Sequence, residues 1–321
     1  MKFALLTTVF TALCAPSILA VPLEARNTTS IAPNTNRSTT RVTDVDVLQF
    51  ALTLEHLESV FYRQGLSRFT RADFIRAGFP ASFFNQLQFV ARDEASHVVF
   101  LQRALTGLGV RPVSACRYNF PFTDVRSFVG LASVLEGIGV SAYLGGAPLI
   151  SNKGFLGAAG AILAAEGVHQ SLFRNSLNLI ASANIAGTAI NPNAIFSLAS
   201  AFIVSCPRGN PALPFTAFPS LSPRGGSLFG VNTLSRFVIG RGIVIPPVFF
   251  ITFVSGFDII SIPGVFSGGF YSGRIPRQIS GQSFVFLTRT AARGTLVEST
   301  ILAGPAIIEV NPTIPNLNLL I

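Results

Sequence analysis

The chain reads Glu94-Ala-Ser-His97 at one place and Glu166-Gly-Val-His169 at another. In each stretch a glutamate precedes a histidine by three residues, which places both side chains on the same face of an α-helix. A carboxylate and an imidazole one turn apart can bind one metal ion together. The two stretches therefore predict two helices that each contribute a Glu-His pair to a metal site.

A second pattern precedes each of these pairs. Glu55 is followed seven residues later by Tyr62, and Glu136 is followed seven residues later by Tyr143. Seven residues are about two helical turns, so each tyrosine shares a face with its glutamate and can extend toward a carboxylate. A plain packing role is the alternative for both tyrosines. The order Glu-x6-Tyr, Glu-x2-His thus occurs twice, which indicates an internal duplication.

Four glutamates and two histidines are therefore the candidate metal ligands: Glu55, Glu94, His97, Glu136, Glu166 and His169. Carboxylates that converge in an apolar bundle repel one another and lose hydration, and two divalent ions would neutralise them. Two Glu-x-x-His helices and two further Glu helices are the ligand pattern of di-iron and di-manganese bundles. Oxygen-rich ligands favour iron or manganese over zinc, although zinc would also bind.

Hydrophobic periodicity predicts four long helices and a shorter fifth one. Their expected bounds are Asp44–Leu66, Pro80–Leu108, a third from the cap signal at 121–124 to Leu149, Phe155–Ala183 and Asn193–Ser205. The third and fourth are apolar nearly all round and rich in Gly and Ala, so a transmembrane hairpin is an alternative. Each would then carry a glutamate in lipid, which favours a buried bundle and no membrane span.

The character of the chain changes at Pro207. Pro and Gly separate short β-branched and aromatic runs, which predicts a small β-rich, sandwich-like C-terminal domain. The predicted strands are 248–254, 257–262, 283–288, 295–302 and 306–310. The expected organisation is a signal peptide at 1–20, a disordered leader at 21–43, a four-helix bundle at 44–206 and the β-rich domain at 207–321.

The first forty residues indicate secretion. Lys2 precedes an apolar stretch and a small residue at Ala20, which is typical of a signal peptide. Sequons at Asn27 and Asn36 follow in a segment rich in Ser, Thr and Asn, and we expect glycosylation there. The localisation expected is therefore extracellular or in the cell wall.

Two cysteines, Cys116 and Cys206, remain after the signal peptide. An even pair in an oxidising compartment favours a disulfide, and two buried free thiols are the alternative.

The net charge of +9 arises from few acids, 14 against 23 Lys plus Arg, and not from a basic cluster. Without a run of Lys or Arg or an aromatic-interleaved RNA motif, the sequence favours no nucleic-acid partner. Diffuse attraction to an anionic cell wall is compatible with this charge.

The Glu and His positions on these helices resemble the ferritin-like superfamily, and the Glu-x6-Tyr feature resembles its rubrerythrin-type members. The signal peptide, the Phe- and Gly-rich helices and the β-rich C-terminal part resemble secreted fungal ferritin-like proteins. These include late sexual development and stress-response proteins, which are related to plant desiccation-related proteins. The resemblance implies an α + β chain with an antiparallel four-helix bundle at residues 44–184.

The resemblance also implies a role for each ligand. Glu94 and Glu166 would bridge two metal ions, and the other ligands would be terminal. The implied chemistries are iron oxidation with oxygen, peroxide reduction, or manganese-type peroxide dismutation. The sequence lacks the rubredoxin-like cysteine pairs that deliver electrons in a rubrerythrin, which argues against an electron-transfer peroxidase. A β-domain with glycans would obstruct the shell of a storage ferritin, which argues against a cage. The alternative is a non-catalytic cell-wall or developmental protein in which the metal only stabilises the bundle.

Three other polar residues of these helices are not interpreted as ligands. His56 and Glu58 flank the first ligand and are expected to point elsewhere on the helix, either as surface groups or as groups behind a ligand. Asp93 is expected to face solvent beside Glu94.

Overall fold

The computed structural model describes residues 42–312. The predicted signal peptide, Asn27 and Asn36 lie outside these residues. Four long helices form the first part: α1 Asp44–Arg68, α3 Ala81–Gly107, α4 Val125–Gly146 and α5 Lys153–Ser176. Two shorter helices, α2 Arg71–Arg76 and α6 Pro192–Ser200, and the 3-10 turns Ala147–Leu149 and Glu298–Thr300 complete the helical elements.

Side-chain caps fix where three of the four long helices begin, namely α1, α4 and α5. Thr43 and Asp46 form a capping box at α1, and Asp124 and Ser127 form another at α4. The Asn152 side chain accepts from two backbone N–H groups at the start of α5. Each cap satisfies donors that the helix itself leaves unpaired.

The four long helices pack mainly as two pairs, α1 with α3 and α4 with α5. One end of the bundle is filled by aromatic rings, such as Phe61 and Phe128, whose centroids lie 4.7 Å apart. Gly65 permits this packing, because a Cβ at that position would lie 2.1 Å from the Phe128 ring. The ring cluster anchors the helices that carry the candidate ligands.

The helical predictions differ from the structure in three places. The fourth helix ends at Ser176 rather than Ala183, and Asn178 soon after it has φ +59°, a left-handed conformation that stops a helix. Residues 203–205 extend into a strand instead of continuing the fifth helix. Helix α2 was not predicted, because six residues are too short for a periodic pattern.

Eleven strands follow or flank the helices in the part of the chain that the structure describes. They are β1 Arg117–Tyr118, β2 Ile203–Ser205, β3 Leu221–Pro223, β4 Leu228–Gly230, β5 Leu234–Ile239, β6 Phe250–Ser255, β7 Asp258–Pro263, β8 Val265–Ser267, β9 Phe270–Arg274, β10 Gly281–Thr288 and β11 Ile301–Asn311. One sheet has the order β4-β11-β10-β6-β7, another has β3-β5-β9-β8, and β1 pairs with β2. The predicted α + β fold, helical first and β-rich after, is confirmed.

The five-stranded sheet is covered on both faces. Val285 and Leu287 belong to the hydrophobic cluster shared with the four-stranded sheet. Phe284 and Phe286 belong instead to the core of the helical bundle. Successive residues of β10 point to opposite faces, because a strand has a two-residue period. The strand therefore packs against the helical bundle on one face and against the second sheet on the other.

The strand predictions were incomplete. The predicted strand at 295–302 is wrong for residues 295–300, where Glu298–Thr300 forms a 3-10 turn. Residues 301–302 and the predicted strand at 306–310 belong to one strand, β11, which passes through a cis Gly304-Pro305 bond. Strands β3, β4 and β8 have three residues each. Runs this short show no clear alternation of apolar and polar residues, so they were not predicted.

Polar contacts also link the two parts. Arg174 of α5 donates two hydrogen bonds of 2.8 Å to Glu309 of β11. Gln282 of β10 donates to the backbone oxygen of Val134 at 3.2 Å. Cys116 and Cys206 form a disulfide, 90 residues apart in sequence, beside the β1–β2 pair.

One helical stretch of the described residues, Val125–Leu149, is long and apolar enough to cross a membrane. Its most apolar window is 61% buried inside the protein, and Glu136 near its middle is completely buried. Both features are typical of the central helix of a bundle.

Candidate metal centre

The four long helices bring all six predicted ligands together. Glu94, Glu136 and Glu166 have no exposed surface, and Glu55 is 1% exposed. They face one another because each occupies the buried stripe of its helix, where most other residues are apolar. The structure thus assembles the predicted residues at one place inside the bundle.

The ligands form two groups that could each hold a metal ion. Within each group the ligand atoms lie within 4.8 Å of one another. The groups are Glu55, Glu94, His97 and Glu166 on one side, and Glu94, Glu136, Glu166 and His169 on the other. They share Glu94 and Glu166, the two carboxylates to which the sequence resemblance assigns a bridging role.

Each imidazole lies between carboxylates of different helices. His97 Nδ1 is 3.2 Å from Glu55 Oε2 and 3.3 Å from Glu94 Oε2. His169 Nδ1 is 2.9 Å from Glu94 Oε1 and 3.2 Å from Glu136 Oε2. The Nδ1 atoms of both rings therefore face the carboxylates, as ligands to two neighbouring ions would.

Several ligand atoms are buried and make no hydrogen bond of good geometry, although His169 Nδ1 lies close to two of the carboxylates. They are Glu94 Oε1, Glu136 Oε2, both carboxylate oxygens of Glu166, and His169 Nδ1. A buried polar atom without a partner is costly, so nearly all such atoms in proteins are satisfied by protein, water or an ion. The orphaned atoms belong to the predicted ligands, and a bound cation would satisfy them. The residues present fit a metal pair.

The two tyrosines bind glutamates across the bundle. Tyr143 donates a hydrogen bond of 2.5 Å to Glu55 Oε1, and Tyr62 donates to Glu136 Oε1. Each tyrosine therefore contacts the glutamate of the other half of the duplication, not the one seven residues before it. These contacts orient one oxygen of each glutamate and leave the second oxygen facing the histidines.

Glu58, which was expected either at the surface or behind a ligand, is buried. It is 4% exposed, and burial followed by the charges of Glu94, Glu55 and Glu136 raises its pKa well above the ordinary value. The signal was present in the sequence, because Glu58 follows Glu55 by three residues as each ligand histidine follows its glutamate. The chain thus places a fifth buried carboxylate beside the predicted four.

Gly139 makes room for this arrangement. It stands three residues after Glu136, as Glu58 stands three residues after Glu55. A Cβ at Gly139 would lie 2.1 Å from Glu166 Oε2 and 3.3 Å from Glu58 Oε1. The duplicated halves are therefore unequal here: a carboxylate on α1 faces a position without a side chain on α4.

Asp93 and His56 also differ from expectation. Asp93 is only partly exposed, and its Oδ2 lies 3.5 Å from His169 Nε2, on the side of the ring away from the carboxylates. A carboxylate there fixes the orientation of a ligand imidazole. His56 is buried, and its Nε2 lies 3.1 Å from the backbone oxygen of Val113, so its role is structural.

Burial is the largest cause of the raised pKa values of Glu55, Glu136 and Glu166. Desolvation raises the pKa of Glu55 to about 8, and desolvation with the charge of Glu94 raises the pKa of Glu136 to about 7. For Glu166, burial and the surrounding carboxylates raise the pKa well above its usual range. Without cations, some of these groups hold protons at neutral pH.

The pKa values of Glu94 and of the two histidines shift in the directions expected of ion pairs. Burial alone would raise the pKa of Glu94, but the neighbouring His169 and His97 outweigh it and lower that pKa to about 2. Burial disfavours the charged imidazoles, yet the glutamates around them raise the pKa of His97 and of His169 to about 10. Protons on the imidazoles therefore provide positive charge where cations would otherwise lie.

Comparison with known proteins agrees with this geometry. Residues 43–179 match the family model of the ferritin-like domain. The chain is also 30% identical, over 182 residues, to the protein named rds1 of Schizosaccharomyces pombe. That alignment covers 56% of this chain and 44% of the relative, so the chain spans less than half the length of that protein. Residues 43–179 therefore have a ferritin-like helical fold that agrees with this match, and a β-rich C-terminal region follows them.

Proposed function

We propose that the ferritin-like domain binds two metal ions, iron or manganese, in a carboxylate-bridged dinuclear centre. The observation that supports this most directly is the pair of four-residue ligand groups that share Glu94 and Glu166. In this arrangement Glu55 with His97 completes one ion's ligands, and Glu136 with His169 completes the other's. Oxygen-rich ligands with one imidazole each suit iron and manganese.

The charge balance of the site supports two ions rather than one. Five buried carboxylates, including Glu58, converge in a bundle that contains two histidines beside them. Two divalent ions contribute four positive charges, which nearly match five carboxylates with both histidines neutral. A single ion would leave several carboxylates to be protonated or to repel one another.

The chain's own residues would hold and shield such a centre. Tyr143 and Tyr62 each fix one carboxylate oxygen by a hydrogen bond, and Asp93 fixes the His169 ring. The aromatic cluster around Phe61 keeps water from one end of the site. Bound as a pair, iron or manganese ions supply redox chemistry toward oxygen or peroxide.

We further propose that the protein works outside the cell, during stress or development, where it oxidises iron or removes peroxide. The signal-peptide pattern and the two sequons support this location. The Cys116–Cys206 disulfide also supports it, since disulfides persist in oxidising compartments. A role confined to cell-wall structure is the competing outcome.

Titration of the purified metal-free protein with Fe²⁺ or Mn²⁺ tests the binding step. The wild type should take up about two ions per chain, and Glu94→Ala should lose both because Glu94 belongs to both groups. Glu298→Ala is the matched control, since Glu298 is exposed and lies in the β-rich region. Failure of the wild type to bind either metal would reject the proposal.

Assays of iron oxidation and peroxide consumption then test the chemistry. A metal-loaded wild type that is active, with an inactive Glu94→Ala, is the result expected of an enzyme. A loaded wild type as inert as Glu94→Ala would favour the structural role, in which the metal only stabilises the bundle.

A further inference from the structure

The two ends of the ligand cluster are built differently. At one end Tyr62 has no exposed surface and packs against Phe128 and Phe173, with ring centroids 6.3 Å and 6.0 Å away. Phe173 follows His169 by one helical turn, so this wall lies directly beside the ligands. At this end the interior beside the ligands is therefore occupied by packed aromatic rings.

At the other end the equivalent tyrosine, Tyr143, lines a cavity of about 40 Å³. Helix register places the cavity next to the ligands. Ala51 precedes Glu55 by one turn and Leu101 follows His97 by one turn, and both line the cavity. The cavity therefore occupies the bundle interior one turn beyond the ligands, on the side that Tyr143 shares.

The lining is apolar apart from the Tyr143 hydroxyl, which is already donated to Glu55. The rim includes Phe100, which is 42% exposed, so the cavity lies close to solvent. Hydrogen peroxide would lose its hydrogen bonds to water here without replacement, which costs free energy. Dioxygen has no hydrogen bonds to lose, and its two atoms fit the volume.

We propose that this cavity is a dioxygen-binding site, from which dioxygen reaches the metal centre past Tyr143. The proposal rests on the proposed function and narrows its oxidant to dioxygen rather than peroxide. It also explains why the duplicated halves differ: the Tyr62 end is sealed by aromatic rings, whereas the Tyr143 end is open to a small apolar molecule.

Xenon binding to the metal-free protein tests the cavity itself. Xenon occupies small apolar cavities, and its NMR shift reports occupancy in solution. The wild type should bind xenon, and Ala158→Phe, which fills the cavity from α5, should abolish binding. Ala51→Leu fills it from α1 and provides a second variant if the first folds poorly. Ala164→Phe, at an exposed position of α5, should bind xenon like the wild type.

The rates of Fe²⁺ oxidation by dioxygen and by hydrogen peroxide test the link to the centre. Ala158→Phe should slow the dioxygen reaction by about tenfold and leave the peroxide reaction within about twofold, because only the apolar path is blocked. A wild type that fails to bind xenon, or a variant that slows neither or both reactions equally, would overturn the proposal. If the protein binds xenon but no metal, the apolar cavity exists, but the proposed function is rejected. The delivery of dioxygen from the cavity to a metal centre is then rejected with it.

Discussion

The hydroxyl group of Tyr143 on α4 donates a hydrogen bond of 2.5 Å to Oε1 of Glu55 on α1. Tyr62 on α1 donates in the same way to Glu136 on α4. The duplicated halves are therefore interlocked, because each half holds a candidate ligand of the other. A metal pair bound here would depend on both halves together, which gives the duplication a physical role.

Tyr143→Phe tests this interlock. Removal of a hydroxyl that orients a ligand usually weakens metal affinity by about 10- to 100-fold, so we expect weaker binding at the group that contains Glu55. Metal titration by calorimetry measures the change. Tyr271→Phe in β9 is the matched control and should bind metal normally. Unchanged affinity in Tyr143→Phe would show that the hydrogen bond does not orient Glu55.

Gly139→Ala tests the space beside Glu166. Its Cβ would lie 2.1 Å from Glu166 Oε2, so Glu166 must move and metal occupancy should fall. The control is Gly160→Ala in α5, where a Cβ meets nothing within 4 Å. Because Ala favours helix over Gly, the control should raise the free energy of unfolding by roughly 0.5–1 kcal/mol. Full metal occupancy in Gly139→Ala would mean that Glu166 is not a ligand.

Glu58→Gln tests whether the buried Glu58 carboxylate destabilises the metal-free protein and favours metal binding. It removes a carboxylate that burial and three neighbouring glutamates disfavour. We therefore expect the metal-free protein at pH 8 to be more stable than the wild type by roughly 1–2 kcal/mol, the size of a typical single substitution. Denaturant unfolding measures this, and metal affinity should decrease because one negative charge is lost. A metal-free variant that is less stable than the wild type would contradict the repulsion.

The pH dependence follows from the shifted pKa values. In the folded metal-free protein the pKa of Glu55 is raised to about 8 and that of His97 to about 10. Both shifts mean that the folded state binds more protons than the unfolded state, so stability falls as pH rises. For Glu55 the loss runs from its ordinary pKa of 4.5 to about 8, and for His97 from 6.5 to about 10.

Thermal unfolding of the metal-free protein from pH 5 to pH 9 measures this loss. Metal ions replace the bound protons, so the stabilisation by Mn²⁺ should be larger at pH 8 than at pH 5. Equal stabilisation by metal at both pH values would contradict the displacement of protons.

Arg174→Met tests the contact between the helical and β-rich parts. Arg174 is 3% exposed and forms the ion pair with Glu309. Removal of one partner leaves a buried charge unpaired and should destabilise the protein by about 3–5 kcal/mol. The control Arg76→Met removes an exposed pair with Asp73, and solvent screening there should leave the free energy of unfolding nearly unchanged. A small effect of Arg174→Met would mean that this ion pair contributes little to the contact between the two parts.

Much of the candidate centre could be predicted from sequence because its spacing reflects helix geometry. Glu94 with His97, and Glu166 with His169, must share a face once those segments are helical. The crossed bonds of Tyr62 and Tyr143 could not be predicted, since they depend on how α1 and α4 pack. The sequence left Glu58 either at the surface or behind a ligand, because the choice depends on how the helices pack. Its spacing from Glu55 nevertheless matches the spacing of each ligand histidine from its glutamate.

The β-rich region was less predictable for a related reason. Strand β10 is buried on both faces, so its sequence shows no alternation of apolar and polar residues. Its two faces are distinguished only by what they contact, Val285 with the second sheet and Phe284 with the bundle. Contacts between distant segments therefore decide this part of the fold.

The central claim is that Glu94 and Glu166 bridge two metal ions. Anomalous diffraction from crystals of the metal-loaded protein, collected at the iron and manganese absorption edges, tests it most directly. Two peaks are expected in the bundle, one beside Glu55 and His97 and the other beside Glu136 and His169, with Glu94 and Glu166 between them. A single peak, or two peaks away from these residues, would contradict it.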